Sequence, residues 1–98
     1  MAEVTQVVGS TEDLRAYIID TFCSRYDLDP RFFELTEFPL YRRGQPVGKY
    51  FVFEGPRRLR MMAVWDYKRE LLLFYGLNGQ RIQTTRLLYP APSVRQAA

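Results

Sequence analysis

Hydrophobic positions divide the chain into an amphipathic helix and a run of strands. In "GSTEDLRAYIIDTFCSRYDLDP", Leu14, Ile18, Phe22 and Tyr26 recur every fourth residue and Ile19 widens the stripe, while Asp13, Asp20 and Ser24 lie opposite. That spacing predicts a helix with one face for a core. Ser10 is placed to cap it by accepting from the backbone N–H near Asp13, and Glu12 and Asp13 sit in the first turn, where the helix dipole favours anions. "DLDP" ends it, because a residue before proline is biased away from helical angles. Asp29, Pro30 and Arg31 suit one short extra turn.

From Phe33 onward the pattern predicts strands and turns. "FELTEFPLY" is a first strand, and Pro39 marks it as an edge strand or a bulged one. After the loop "RRGQPVG" come "KYFVFE", the turn "GPRR", "LRMMAVWD", the turn "YKR" and "LLLFYG". "LNGQ" is a hairpin turn around Asn78-Gly79, and "RIQTTRLL" is the last strand. Val4, Val7 and Val8 show no clear period, so residues 1–9 read as a frayed tail or an added strand. Residues 89–98, "YPAPSVRQAA", read as a flexible tail. The expected fold is α+β in one domain, 1–98: an N-terminal helix packed on a four- to five-stranded antiparallel β-meander.

"LLLFY" does not alternate, as a strand with one wet face should. Even-length loops between the hairpins would gather Phe51, Phe53, Met62, Val64, Leu71, Leu73, Tyr75 and Ile82 on one face. Tyr50, Val52, Met61, Ala63, Trp65, Leu72, Phe74 and Leu87 would then share the other. One odd loop or bulge would rotate every strand beyond it. A helix of about 16 residues is about 24 Å long and 10 Å wide, enough for one face of a small sheet and not for two. The more aliphatic first face is assigned to the helix. Tyr50, Val52, Met61, Trp65, Leu72 and Phe74 are then the expected partner-binding residues, since Trp, Tyr, Phe and Met are enriched at such surfaces. The alternatives are a sheet curled on itself and termini folded across the face.

Composition narrows the chemistry. Residues 1–37 hold eight acids and three bases, a net −5, and residues 38–98 hold eleven bases and three acids, a net +8. The two parts can neutralise each other in one fold, or the basic part can meet an anion. There is no histidine, which removes imidazole catalysis, Ser-His and Cys-His nucleophile pairs and nearly all zinc sites. The single Cys23 cannot form an internal disulfide and reads as a small core residue, which points to a reducing, cytoplasmic setting. Asp27 and Asp29 read as turn formers, and no phosphate-binding loop or EF-hand pattern occurs. No run of 18 apolar residues is present, so no membrane span is expected. "GKYFVF" departs from the base-stacking strand of RNA-recognition motifs, because Phe51 stands where Gly or Ala belongs.

The resulting expectation is a non-enzymatic protein without metal or cofactor that self-associates, most simply as a homodimer, or docks another protein through its second sheet face. The alternative is single-stranded nucleic acid bound through sheet aromatics and Arg-rich turns, with Arg57, Arg58 and Arg81 as anion contacts.

Overall fold

The computed structural model describes residues 3–90. Helix α1 runs Thr11–Tyr26, where the capping pattern placed it. Ser10 Oγ accepts from the Asp13 N–H at 3.1 Å, and the Asp13 carboxylate accepts in return from the Gly9 N–H at 3.0 Å. Asp27, in the left-handed region, terminates the helix. Asp29 then caps the short turn Pro30–Phe32 by accepting from the Arg31 N–H. The buried stripe is Leu14, Ile18 and Phe22, with Tyr26 packed at its end.

Six strands form one sheet, in the spatial order β1-β6-β5-β4-β3-β2. They are β1 (Glu3–Val7), β2 (Glu34–Arg42), β3 (Gln45–Glu54), β4 (Arg60–Asp66), β5 (Leu71–Tyr75) and β6 (Arg81–Leu88). The architecture is α+β as expected, but the sheet has one or two strands more than expected and is mixed. Residues 3–7 are the added strand, parallel to β6, with Glu3 beside Thr84 and Val7 beside Leu88. Pairing two segments some eighty positions apart leaves no local periodic trace, and Val4 and Val7 stay exposed on this edge. Tyr89, expected in a tail, accepts a hydrogen bond from Trp65 Nε1 at 3.3 Å. The rest of that expected tail, 91–98, lies outside the described residues.

Strand β2 is an edge strand, and it is also bulged between Leu40 and Tyr41. The sequence predicts a long loop at "RRGQPVG", but β2 and β3 continue through it to a two-residue turn. Arg43 and Gly44, with φ of 52° and 78°, supply the positive angles of a primed hairpin turn. At the last hairpin the Gly79 N–H donates to the Gly76 carbonyl at 3.0 Å. Leu77 and Asn78 are therefore the central turn residues, and Gly79 (φ 79°) takes the left-handed position after them.

The turn between β3 and β4 changes the face assignment. Glu54 pairs with Arg60, so the connection is residues 55–59, five positions and odd. Within it Arg57 and Arg58 both take positive φ, and the Leu59 N–H donates to the Pro56 carbonyl at 3.2 Å. This is a compact left-handed turn with one residue more than an even loop. Everything beyond it is rotated by one side chain. Phe51 and Phe53 face the helix as expected. Met61, Ala63, Trp65, Leu72, Phe74 and Leu87 join them there, instead of lying on the opposite side. A bulge between Phe74 and Tyr75 also turns Ile82 toward the helix layer.

The core therefore lies between α1 and this face. Phe22 stacks on Phe53 and meets Phe74 edge-on, with centroids 5.4 and 5.3 Å apart. Thr85, the one fully buried polar residue in that core, is satisfied by Tyr17 Oη at 3.0 Å and by a donated bond from Gln83 Nε2 at 2.9 Å.

Glu37 ties α1 to the sheet, accepting from Lys49 Nζ at 2.8 Å and from Arg15 Nη1 at 2.7 Å. The Lys49 hydrogen bond, with Arg15 adding to it and partial burial opposing, holds the carboxyl below its ordinary range. A lowered folded-state value stabilises the fold above the unfolded value, about 4.3, and that stabilisation is lost as pH falls through the folded value. Glu37→Gln is expected to lower stability by about 1 kcal/mol or less, since a third of the carboxylate meets solvent. In thermal unfolding from pH 7 to pH 3, the gap between wild type and variant should be constant at the top of the range and close below about pH 4.

Candidate interaction face

The face opposite α1 has no cover among the described residues. The pairings order its side chains into three rows across the sheet. Tyr75, Met62, Val52 and Thr36 form one, and Leu73, Val64, Tyr50 and Phe38 the next. Leu71, Asp66, Gly48 and Leu40 form the third. Four strands at about 4.8 Å and three rows at about 7 Å give a patch roughly 19 Å by 20 Å, about 400 Å² in plan. A contiguous apolar patch of that order marks an interaction site more often than plain surface. On β6 and β1 the same face turns polar, with Thr84, Arg86, Glu3 and Thr5.

The patch is recessed. Val52 is only 2% exposed and forms its floor, whereas Phe38 at the edge is 39% exposed and stacks on Tyr50, centroids 4.9 Å apart. One depression of about 550 Å³ opens beside Met62, Val64 and Tyr75, toward Arg60 and Leu77. A second, of about 930 Å³, opens beside Leu40, Val47, Val64 and Leu73 and is bordered by Arg42, Lys68 and Arg69. Val64 lines both, so the two are continuous along the strands.

Cations stand at both ends of this trough. At one end are Arg60 and Arg81, the latter lying 5.9 Å from the centre of the Tyr75 ring. At the other are Arg42, Lys68 and Arg69, with Arg86 opposite Leu71. The carboxylates on β3 and β4 are Glu54, 4.0 Å from Arg60, and Asp66, 3.8 Å from Arg69. Among the described residues Arg42, Lys68, Arg81 and Arg86 enter no ion pair, so the trough carries a net positive charge.

Of the expected partner-binding residues, only Tyr50 and Val52 lie on this face. Met61, Trp65, Leu72 and Phe74 are buried under α1, at most 1% exposed. The face itself was expected; its occupants were exchanged by the odd turn at 55–59. Phe38 and Leu40 on β2 were missed, although pairing β2 with β3 through a short turn would have placed them beside Tyr50 and Gly48. Arg57, Arg58 and Arg81 do come to one end of the sheet, and Arg81 with Arg60 borders the trough. Cys23 packs against the core, and burial, with Asp20 and Asp29 adding to it, pushes its thiol up, the opposite of an activated nucleophile. Among the described residues no three His, Cys, Asp or Glu side chains converge as a metal site requires, and no helix is long and apolar enough to cross a membrane.

No protein-family model matches the chain, and neither the curated proteins nor the solved structures compared with it give a match.

Proposed function

We propose that this protein is a non-catalytic docking module that binds another polypeptide through the trough on β2–β5. One observation carries the reading: a contiguous aliphatic and aromatic floor, ordered by the strand register, faces away from α1 and lacks a cover among the described residues. Leaving such a floor in water forgoes about 25 cal/mol per Å² of apolar surface that a partner would recover. The lack of histidine and the unactivated Cys23 thiol support a binding role over a catalytic one. A lone reduced thiol also fits the cytoplasm.

The nucleic-acid reading has Arg81 over Tyr75 in its favour. It is the weaker reading, because the centre of the trough is Val52, Met62, Val64 and Leu73, which offer no ring for a base to stack on. The ring of Tyr50 is already stacked by Phe38.

Val64→Glu tests the docking reading, since Val64 lines both depressions and is half-buried on the open face. The variant is expected to keep the wild-type circular dichroism spectrum. In size-exclusion chromatography of cell extract, wild type should elute above the size of the 11.6 kDa chain and the variant at that size. Equal elution of both at monomer size would refute the proposal.

A further inference from the structure

We infer that the occupant of the trough is an amphipathic helix of another protein, carrying acidic residues near both of its ends. This rests on the docking reading above and adds the chemistry of the partner. Three observations lead to it.

The first is the state of the backbone. β3, β4 and β5 are interior strands, so their N–H and C=O groups are already paired with neighbours on both sides. An extended segment laid over Val52, Val64 and Leu73 would find no ladder to join and would place its own peptide groups against an apolar floor. A helix brings its backbone already hydrogen-bonded and needs only side-chain cover. The opposite face shows the same solution, since α1 covers it with Leu14, Ile18 and Phe22.

The second is shape. A floor recessed beneath its rim receives protruding side chains. An inserting membrane contact would need the reverse, apolar groups that project. Val52 at 2% exposure, beside depressions of about 550 and 930 Å³, is built to receive.

The third is charge. Arg60 and Arg81 close one end of the trough, and Arg42, Lys68, Arg69 and Arg86 close the other. Strand β4 spans six residue steps from Arg60 to Asp66, so the two clusters stand about 20 Å apart. That is the length of about 13 helical residues. A helix lying along the strands would bring its first and last turns to the cations, where carboxylates are favoured. Two copies of this chain facing each other would instead confront cations with cations, which costs association energy.

The probe is a 16-residue fluorescein-labelled helical peptide with a Leu/Ile stripe at i, i+3, i+4 and i+7 and two Glu at each end. A companion peptide carries Lys in place of those Glu. By fluorescence anisotropy the acidic peptide is expected to bind at least about tenfold more tightly, about 1.4 kcal/mol. The preference should shrink in high salt and reverse in the double variant Arg60→Glu/Arg81→Glu, and Val64→Glu should lose both peptides. Equal affinity for the two peptides, no binding of either, or binding untouched by Val64→Glu would overturn the inference. So would dimer formation in light scattering, or uptake by phosphatidylserine vesicles in preference to the acidic peptide. If the peptides fail while the extract still shows a Val64-dependent complex, the docking face stands and only this occupant is wrong.

Discussion

Trp65→Arg is expected to abolish the cooperative fold. Trp65 is fully buried, meets Tyr67 edge-on at 4.8 Å and donates from Nε1 to Tyr89 Oη. Removing a buried Trp side chain costs about 3–5 kcal/mol. A guanidinium placed there has no carboxylate to meet, and an uncompensated buried charge adds about 3–5 kcal/mol. A domain of this size is stable by about 5–15 kcal/mol, so the combined loss takes most or all of it. Near-ultraviolet circular dichroism should lose its aromatic signal and thermal unfolding its sigmoidal transition. Val64→Glu is the matched control: it also places a charge on β4, but on the open face, and should unfold cooperatively with a loss of about 1 kcal/mol. The contrast tests the odd turn at 55–59. Had that connection been even, Trp65 would lie on the open face and Trp65→Arg would be mild. A cooperatively folded Trp65→Arg protein would refute the face assignment.

The second large effect is expected at Gly48. A Cβ there would sit 2.2 Å from the Trp65 carbonyl oxygen, which is backbone and has no rotamer to yield. Gly48 pairs with Asp66 beside the β2–β3 bulge, so β3 and β4 approach more closely than a side chain allows. Gly48→Ala must part the strands by about 1 Å in a close-packed region. The expected cost is about 2–3 kcal/mol, a fall in Tm of roughly 10–20 °C. Gly44→Ala makes a useful comparison, because a Cβ there meets nothing within 4 Å and only its φ of 78° is strained. It should cost about 1 kcal/mol. A Gly48→Ala protein as stable as Gly44→Ala would show that the close approach is wrong.

These two sites show what a sequence makes legible. Local rules worked where a few neighbouring residues decide the outcome. Ser10 and Asp13 capped the helix, Leu14, Ile18 and Phe22 gave its buried side, and Pro39 marked an edge. The hairpin order from β2 to β6 followed from turn residues, and Leu73 does pair with Thr84. Strand β1 was not legible, because parallel pairing with a distant strand leaves no period in Val4, Val7 and Val8. The greatest loss came from one residue. Side chains alternate with period two, so a turn of five positions in place of four exchanges every face beyond it. Residue size carried a corrective signal: Trp65, Phe74 and Leu72 are the bulkier set, and the core beneath α1 has taken them. The candidate site was legible as a surplus of apolar faces over helices. Which side chains form it depended on a turn geometry, two successive arginines at positive φ, that glycine or asparagine would have announced and arginine does not.

The central claim is that the Met62 side of the sheet is bare in the isolated protein and occupied in the cell. Met61 and Met62 are adjacent residues on opposite faces, one 1% exposed beneath α1 and the other lining the trough, so each calibrates the other. A brief oxidative pulse followed by mass spectrometry reads sulfoxide at both positions. In purified protein Met62 should oxidise much faster than Met61, and in the cells that make the protein its rate should fall toward that of Met61. An equal Met62 rate in both settings would contradict the account.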